Sequence, residues 1–179
     1  MAIVGGGPGG YEAALVAAQL GAEVTIVDRD GIGGSTVLTD CVPSKTLIAT
    51  SDVLTEVERS AELGVDSSAA VRADLKRVNE RVRRLALAQS EDITRQLDRV
   101  GVRVLPGIGT LDGAQAVVAE LHSGKTEDLE ADVVLLATGA HPRIVDQAVP
   151  DGERILTWEQ VYDLPELPDH LIEIGRAHV

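Results

Sequence analysis

A chain of 179 residues with 44% hydrophobic and 25% charged side chains has the make-up of an ordinary soluble globular protein with a substantial core. Its formal net charge of −13 repels a polyanion at long range and argues against nucleic acid as the main partner. One cysteine permits no intrachain disulfide, no apolar run spans a bilayer, and no charged-then-apolar leader precedes a cleavage site, so a cytoplasmic protein is expected.

In chain order, residues 1–4 are a short apolar lead into GGGPGG. Residues 10–20 read as an alanine-rich helix ending at Gly21, and EVTIVD, residues 23–28, as a buried strand ending on an acid. Strand, glycine turn, helix and strand within about thirty residues make one βαβ unit. Residues 44–63 are expected to be helical and to stop at Gly64, with a loop over 66–73. From Asp74 the apolar residues Leu75, Val78, Val82, Leu85, Ile93, Leu97 and Val100 recur mostly every three or four positions, predicting one long amphipathic helix closed by Gly101. The basic residues Arg72, Lys76, Arg77, Arg81, Arg83 and Arg84, interrupted by Glu80, read as its solvated face. Residues 102–111, 116–121 and 129–136 read as strands, the last running into ATGAHPR. The proline-containing stretch 164–169 looks like a boundary, and Trp158 and Tyr162 like packing residues at a domain junction.

With no phenylalanine, and Tyr11, Trp158 and Tyr162 as the aromatics, the core must be built from Val, Leu, Ile and Ala. That suits a parallel sheet covered by helices and leaves few platforms for base stacking.

The glycine run satisfies G-x-G-x-x-G in its proper setting, with Asp28 at the end of the next strand. Gly5 permits a tight turn, Gly7 lets a pyrophosphate approach the backbone, and Gly10 lets helix and strand pack closely. The positive end of the helix favours the diphosphate, and Asp28 can accept from ribose hydroxyls. This pattern points to an adenine dinucleotide and does not by itself choose between FAD and NAD.

GGGPGGYEAALVAAQLGAEVTIVD, then GGSTVLTDCVPSK, then VVLLATGAHPR follow one another in an order that resembles the N-terminal FAD domain of the pyridine nucleotide–disulfide oxidoreductases. The likeness runs from Ala2 to about Ile172. It implies FAD at the first glycine-rich site, with Gly5, Gly6, Gly7, Pro8, Gly9 and Gly10 on the pyrophosphate and Asp28 on the adenosine ribose. It further implies phosphate contacts from Gly33, Gly34 and Ser35 and a catalytic Lys45 near the flavin. Gly109 would pass the adenine, and Thr138, Gly139 and Ala140 would form a second turn onto FAD. Arg29 and Thr36 are counted with the cofactor-binding set.

The family's segment runs C-x-x-x-x-C-x-P-S-K, and its two cysteines pass electrons from flavin to substrate. Here Cys41 fills the second place and Thr36 the first, and a hydroxyl cannot take part in thiol–disulfide exchange. The wording is similar to the disulfide-less branch that reduces quinones. The expected activity is therefore hydride transfer from NAD(P)H to FAD and electron transfer onward to a quinone. Cys41 itself has two readings: a low-pKa thiol cycling through sulfenic acid in a thiol reductase or peroxidase, or an inherited buried side chain. The second is preferred. A dihydrolipoamide dehydrogenase-like enzyme and a non-catalytic FAD-binding fragment stand as alternatives. His141 and His170 lack ligand spacing, and no metal site is expected.

The expected fold is α/β: a Rossmann-like parallel sheet with helices on both faces, plus an antiparallel meander supplied by residues 102–136. Residues 1–170 would be an incomplete FAD-binding domain and 171–179 the truncated start of an NAD(P)-binding domain. The resemblance implies that the domain binding NAD(P)H, and a C-terminal domain making the full-length protein a homodimer, lie outside this chain. The closing EIGRAHV matches a reading frame of a sequencing adapter, so residues 173–179 are expected to be wholly or partly read-through.

Overall fold

The structure is a computed structural model that describes residues 1–65 and 71–175. Six strands form one mixed sheet in the order β5-β4-β3-β2-β1-β6. They are β1 Ala2–Val4, β2 Thr25–Asp28, β3 Arg103–Leu111, β4 Ala116–Leu121, β5 Thr126–Glu130 and β6 Val134–Leu136. The helices are α1 Pro8–Gln19, α2 Gly34–Leu38, α3 Cys41–Glu58 and α4 Leu75–Arg99. The α/β class expected from sequence is observed.

β1 lies between β2 and β6 and is parallel to both, with Ile3 opposite Ile26 and Leu135. The chain leaves β1 toward β2 through α1 and returns on the far side as β6. The strand order therefore reverses at β1, and the carboxyl ends of such a reversal leave a crevice.

Alternation along the strands sorts the core into two faces. Ile3, Ile26 and Val102 pack with Ala14 of α1, Val37 of α2, and Ile93 and Leu97 of α4. Ala2, Val4, Val27 and Leu105 turn the other way and pack with Val117 and Ala119 of β4. The helices in these contacts thus cover one face, and the second face, where helices were also expected, is covered by strands. Ile3, Ile26 and Leu97 are each fully buried, a burial that contributes about 1.5–3 kcal/mol per side chain.

β3 makes the crossing possible. Arg103 to Pro106 pairs parallel with β2, and Gly107 onward pairs antiparallel with β4. A side-chain carbon at Gly107 would fall 2.3 Å from the Glu120 carbonyl oxygen, so only a glycine admits the partner strand there. At Gly109 it would come within 3.1 Å of Val4 Cγ1, which shows the bent strand lying against the parallel sheet.

The long helix forms as its periodicity predicts, with Asp74 as N-cap accepting from the Arg77 N–H at 3.1 Å. Its buried stripe is Asn79, Val82, Ala86, Ile93 and Leu97; Leu85 and Val100, expected inside, lie at its margin and are exposed. The basic residues from Arg72 to Arg84 are solvent-exposed, as expected of a solvated face. The 44–63 helix starts earlier, at Cys41, and its last turn tightens to a 3-10 helix, Arg59–Leu63, ended by Gly64. The expected 129–136 strand is two elements. β5 closes the meander against β4, while β6 joins β1, because residues 131–133 break the pairing between them. Of the expected 66–73 loop, residues 66–70 lie outside the described residues, as do 176–179 of the expected read-through tail. Residues 171–175 are not paired as a strand.

Near the end of the described chain, the Asp151 carboxylate accepts from the backbone N–H groups of Ile155, Glu153 and Arg154, which hold its pKa down to about 2. A depressed carboxylate contributes its order in full above the ordinary value of 3.8 and loses it as pH falls through about 2. The amide shifts of Glu153, Arg154 and Ile155 are therefore expected to stay flat from neutral pH down through 3.8 and to move only below it. An NMR titration in which they move with a midpoint near 3.8 would contradict the contact.

A dinucleotide-sized cleft at the strand carboxyl ends

Gly5 follows β1 with φ +104°, a left-handed conformation that favours glycine. Its N–H donates to the Val27 carbonyl at 2.9 Å. A side-chain carbon there would lie 2.2 Å from the Ala137 carbonyl oxygen, so the turn after β1 and the turn after β6 are in contact through this glycine. A carbon at Gly10 would fall 1.9 Å from the Gly5 carbonyl oxygen, as close packing of helix on strand requires. Gly7 is different. The nearest atom to such a carbon is Gly34 Cα at 4.0 Å, leaving room for a ligand to reach the backbone.

α1 opens with Gly7 as N-cap and Pro8 in its first turn, with no side chain capping it. α2 opens nearby with Gly33 as N-cap, also without a side-chain cap. Gly34, at φ +56°, brings α2 so close that a side-chain carbon would sit 2.8 Å from Gly7 Cα. Among the described residues, the N–H groups of Gly7, Gly9, Ser35 and Thr36 find no protein acceptor. Two helix starts thus bring unpaired donors and positive dipole ends to one place, the arrangement that binds a phosphate or diphosphate.

These residues line one cleft of about 1070 Å³. Gly5, Gly7, Pro8, Gly9, Asp28, Arg29, Gly34, Ser35, Thr36, Gly109, Thr138, Gly139 and Ala140, all predicted from sequence, are on its walls. Gly6, Gly10 and Gly33 are buried immediately behind them. Cys41 and Lys45 are not on the walls. Cys41 begins α3 half-buried as a free thiol, and Lys45 is exposed in the next turn. Sequence reading missed Ile108, His141, Glu159, Gln160 and Asp163, which also line the cleft.

Asp28 does more than face a ligand. Its Oδ2 accepts from the Gly6 N–H at 2.6 Å, and its Oδ1 accepts from Asp30 N–H at 2.9 Å and Gly31 N–H at 2.6 Å. Oδ1 is then saturated, and one acceptor position on Oδ2 is left for a hydroxyl group. The same carboxylate therefore ties the first glycine turn to the loop carrying Gly33 and Gly34. The Ser90 hydroxyl secures that loop from α4 by donating to the Ile32 carbonyl at 2.5 Å.

Next to it, Arg29 makes a two-pronged pair with Asp30, at 2.9 and 2.8 Å. The hydrogen bond from Arg29 is the main cause holding the Asp30 carboxyl below its usual range, with the nearby His141 and His122 adding to it.

The chain matches the family described as pyridine nucleotide-disulphide oxidoreductase over residues 1–175. It belongs to that family. A relative named NAD(P)H dehydrogenase (quinone), from Mycobacterium tuberculosis, is 53% identical over 184 residues, covering 97% of this chain and 37% of the relative. A dihydrolipoyl dehydrogenase from Chlorobaculum parvum is 34% identical over 175 residues, covering 98% of this chain and 37% of that protein. The crystal structure of LpdA from Mycobacterium tuberculosis superposes with a TM-score of 0.86 at 51% identity, over 95% of this chain and 38% of the other. The chain thus spans little more than a third of the length of these relatives. Among the described residues, no helix is long and apolar enough to cross a membrane.

Proposed function

We propose that this chain is the N-terminal FAD-binding part, residues 1–170, of an enzyme that oxidises NAD(P)H and reduces a quinone. The observation carrying the cofactor assignment is the meeting of two uncapped helix starts, with the N–H groups of Gly7, Gly9, Ser35 and Thr36 on one cleft wall. The cleft's volume, about 1070 Å³, suits a ligand larger than a mononucleotide. Asp28 would take a ribose hydroxyl on Oδ2, and Gly109 would flank the adenine.

When bound, FAD supplies two-electron chemistry: NAD(P)H, a quinone and a proton become NAD(P)⁺ and a hydroquinone. The protein's part is to bind and orient. The helix starts neutralise the diphosphate, Gly7 leaves space for it, and Lys45 would stand as the nearby cation once the rest of the protein closes the site. The acceptor assignment rests on Thr36. A relay through a redox disulfide needs a thiol there, and this chain has none to offer Cys41. The relative named for quinone reduction, at 53% identity, supports the same reading. NAD(P)H would bind in a further domain opening near residue 171, and the whole protein is expected to be a cytoplasmic homodimer.

Two measurements test this. The whole protein should take up FAD and quench its fluorescence; a whole protein that stays colourless after FAD loading rules the cofactor out. In the whole protein, the Cys41→Ser variant should keep NADH-driven reduction of menadione within about threefold of wild type. Loss of turnover in that variant would instead favour a thiol enzyme working through Cys41.

A further inference from the structure

Residues 157–163 bring Glu159, Gln160 and Asp163 to the cleft as its far wall, and α4 holds that segment. Thr157 and Gln160 cap each other at the start of the 3-10 helix Trp158–Asp163, giving that segment its own shape. Asn79, only 4% exposed, donates from Nδ2 to the Leu164 carbonyl at 3.0 Å. One turn along α4, Arg83 Nη2 donates to the Tyr162 carbonyl at 3.2 Å and to Asp163 Oδ1 at 2.6 Å. With the segment held by these α4 side chains, Glu159, Gln160 and Asp163 line the cleft.

The charges on that wall conflict with the ligand. Asp28, Asp30, Glu159 and Asp163 all line the cleft, and its cationic side chain, Arg29, is already paired with Asp30. A diphosphate entering there meets carboxylates. Arg83 does not line the cleft, yet it is the cation that offsets Asp163. An ion pair this exposed, 54% and 69%, adds little to fold stability. Its consequence is for the potential inside the cleft.

We propose that Asn79 and Arg83 are positioning residues for the anionic dinucleotide: together they hold the 157–163 wall in place, and Arg83 also neutralises the Asp163 carboxylate that this placement brings to the ligand. The proposal rests on the FAD reading given above. It separates into a steric part, shared by both residues, and an electrostatic part that belongs to Arg83 alone.

FAD titrations of the whole protein at low and high ionic strength separate the two parts. Arg83→Ala should weaken FAD binding about tenfold at low salt and about threefold at high salt, because added ions screen the freed carboxylate. Its melting temperature should be nearly unchanged. Adding Asp163→Asn to Arg83→Ala should restore affinity at low salt to within about threefold of wild type. Asn79→Ala should weaken binding by a similar factor at both salt concentrations. If Asn79→Ala fails to fold, the exposed Arg83 and its double variant decide the matter. Wild-type affinity in Arg83→Ala, or a double variant no better than the single, overturns the inference while FAD uptake by wild type keeps the cofactor reading intact. A whole wild-type protein that binds no FAD overturns both.

Discussion

Replacing Gly5 by alanine is expected to destabilise the chain by about 2–4 kcal/mol and to weaken FAD binding by at least about a hundredfold. Two effects coincide at this residue. The backbone is at φ +104°, where an L side chain is strained. The new methyl would also lie 2.2 Å from the Ala137 carbonyl oxygen and 2.6 Å from its carbon. Neither neighbour is the tip of a flexible side chain. Relief requires the turn after β1 to part from the turn after β6, which breaks the 2.8 Å hydrogen bond from the Ala137 N–H to the Val4 carbonyl. Both turns line the cleft, so one substitution displaces two walls. Gly9→Ala is the matched control: a carbon there meets nothing within 4 Å, and alanine suits a helix better than glycine. Urea melts should show Gly9→Ala as stable as wild type or more so. A Gly5→Ala chain with an unchanged urea midpoint and normal FAD affinity would refute the contact between the turns.

Asp28→Ala is expected to cost about 2–4 kcal/mol, a fall in melting temperature of about 5–12 °C for a domain of this size. The reason is the number of donors left behind. Gly6 N–H, Asp30 N–H and Gly31 N–H all lose their acceptor, and Gly6 is buried away from water. An exposed loop acid would cost almost nothing on removal. Asp28→Asn should also be costly, because its amide can present only one oxygen to donors on both sides of the group. Since the loop running to Gly33 and Gly34 hangs on the same carboxylate, FAD affinity should fall in both variants. Calorimetry of the FAD-free chain checks the structural part; an unchanged melting temperature in Asp28→Ala would show that the carboxylate faces only the ligand.

Local patterns carried much of the fold. The β-branched run ending at Asp28, the glycine turn before α1, and the apolar spacing from Leu75 to Leu97 each depend on neighbours a few residues away, and each element forms where it was expected. The 129–136 run shows where this fails. It reads as one strand, yet one part pairs with β4 and the other with β1. Composition does not name a partner. The second face of the sheet was misjudged for the same reason: that β4 packs on Val4 and Val27 depends on the bend in β3 around Gly107.

The site divides in a similar way. Its glycine-turn side was legible because glycines and helix starts leave donors unpaired wherever they occur, a property of the backbone itself. Its far wall was not. Glu159, Gln160 and Asp163 carry no distinctive spacing, and they reach the cleft because Asn79 grips Leu164 across 85 positions of sequence. Lys45 and Cys41, assigned by resemblance, stand beside the cleft and off its walls.

By itself, the sequence determined the βαβ start, the glycine turn, the missing second thiol and, through its ordered motifs, the family resemblance. These depend on residue identity and short-range spacing, which the chain keeps in any conformation. The tertiary structure alone decided which strands share the sheet, that Asp28 holds three backbone N–H groups, and that Arg83 offsets a carboxylate in a cleft it does not line. Those outcomes are set by contacts between distant segments, whose geometry exists only once the whole core has packed.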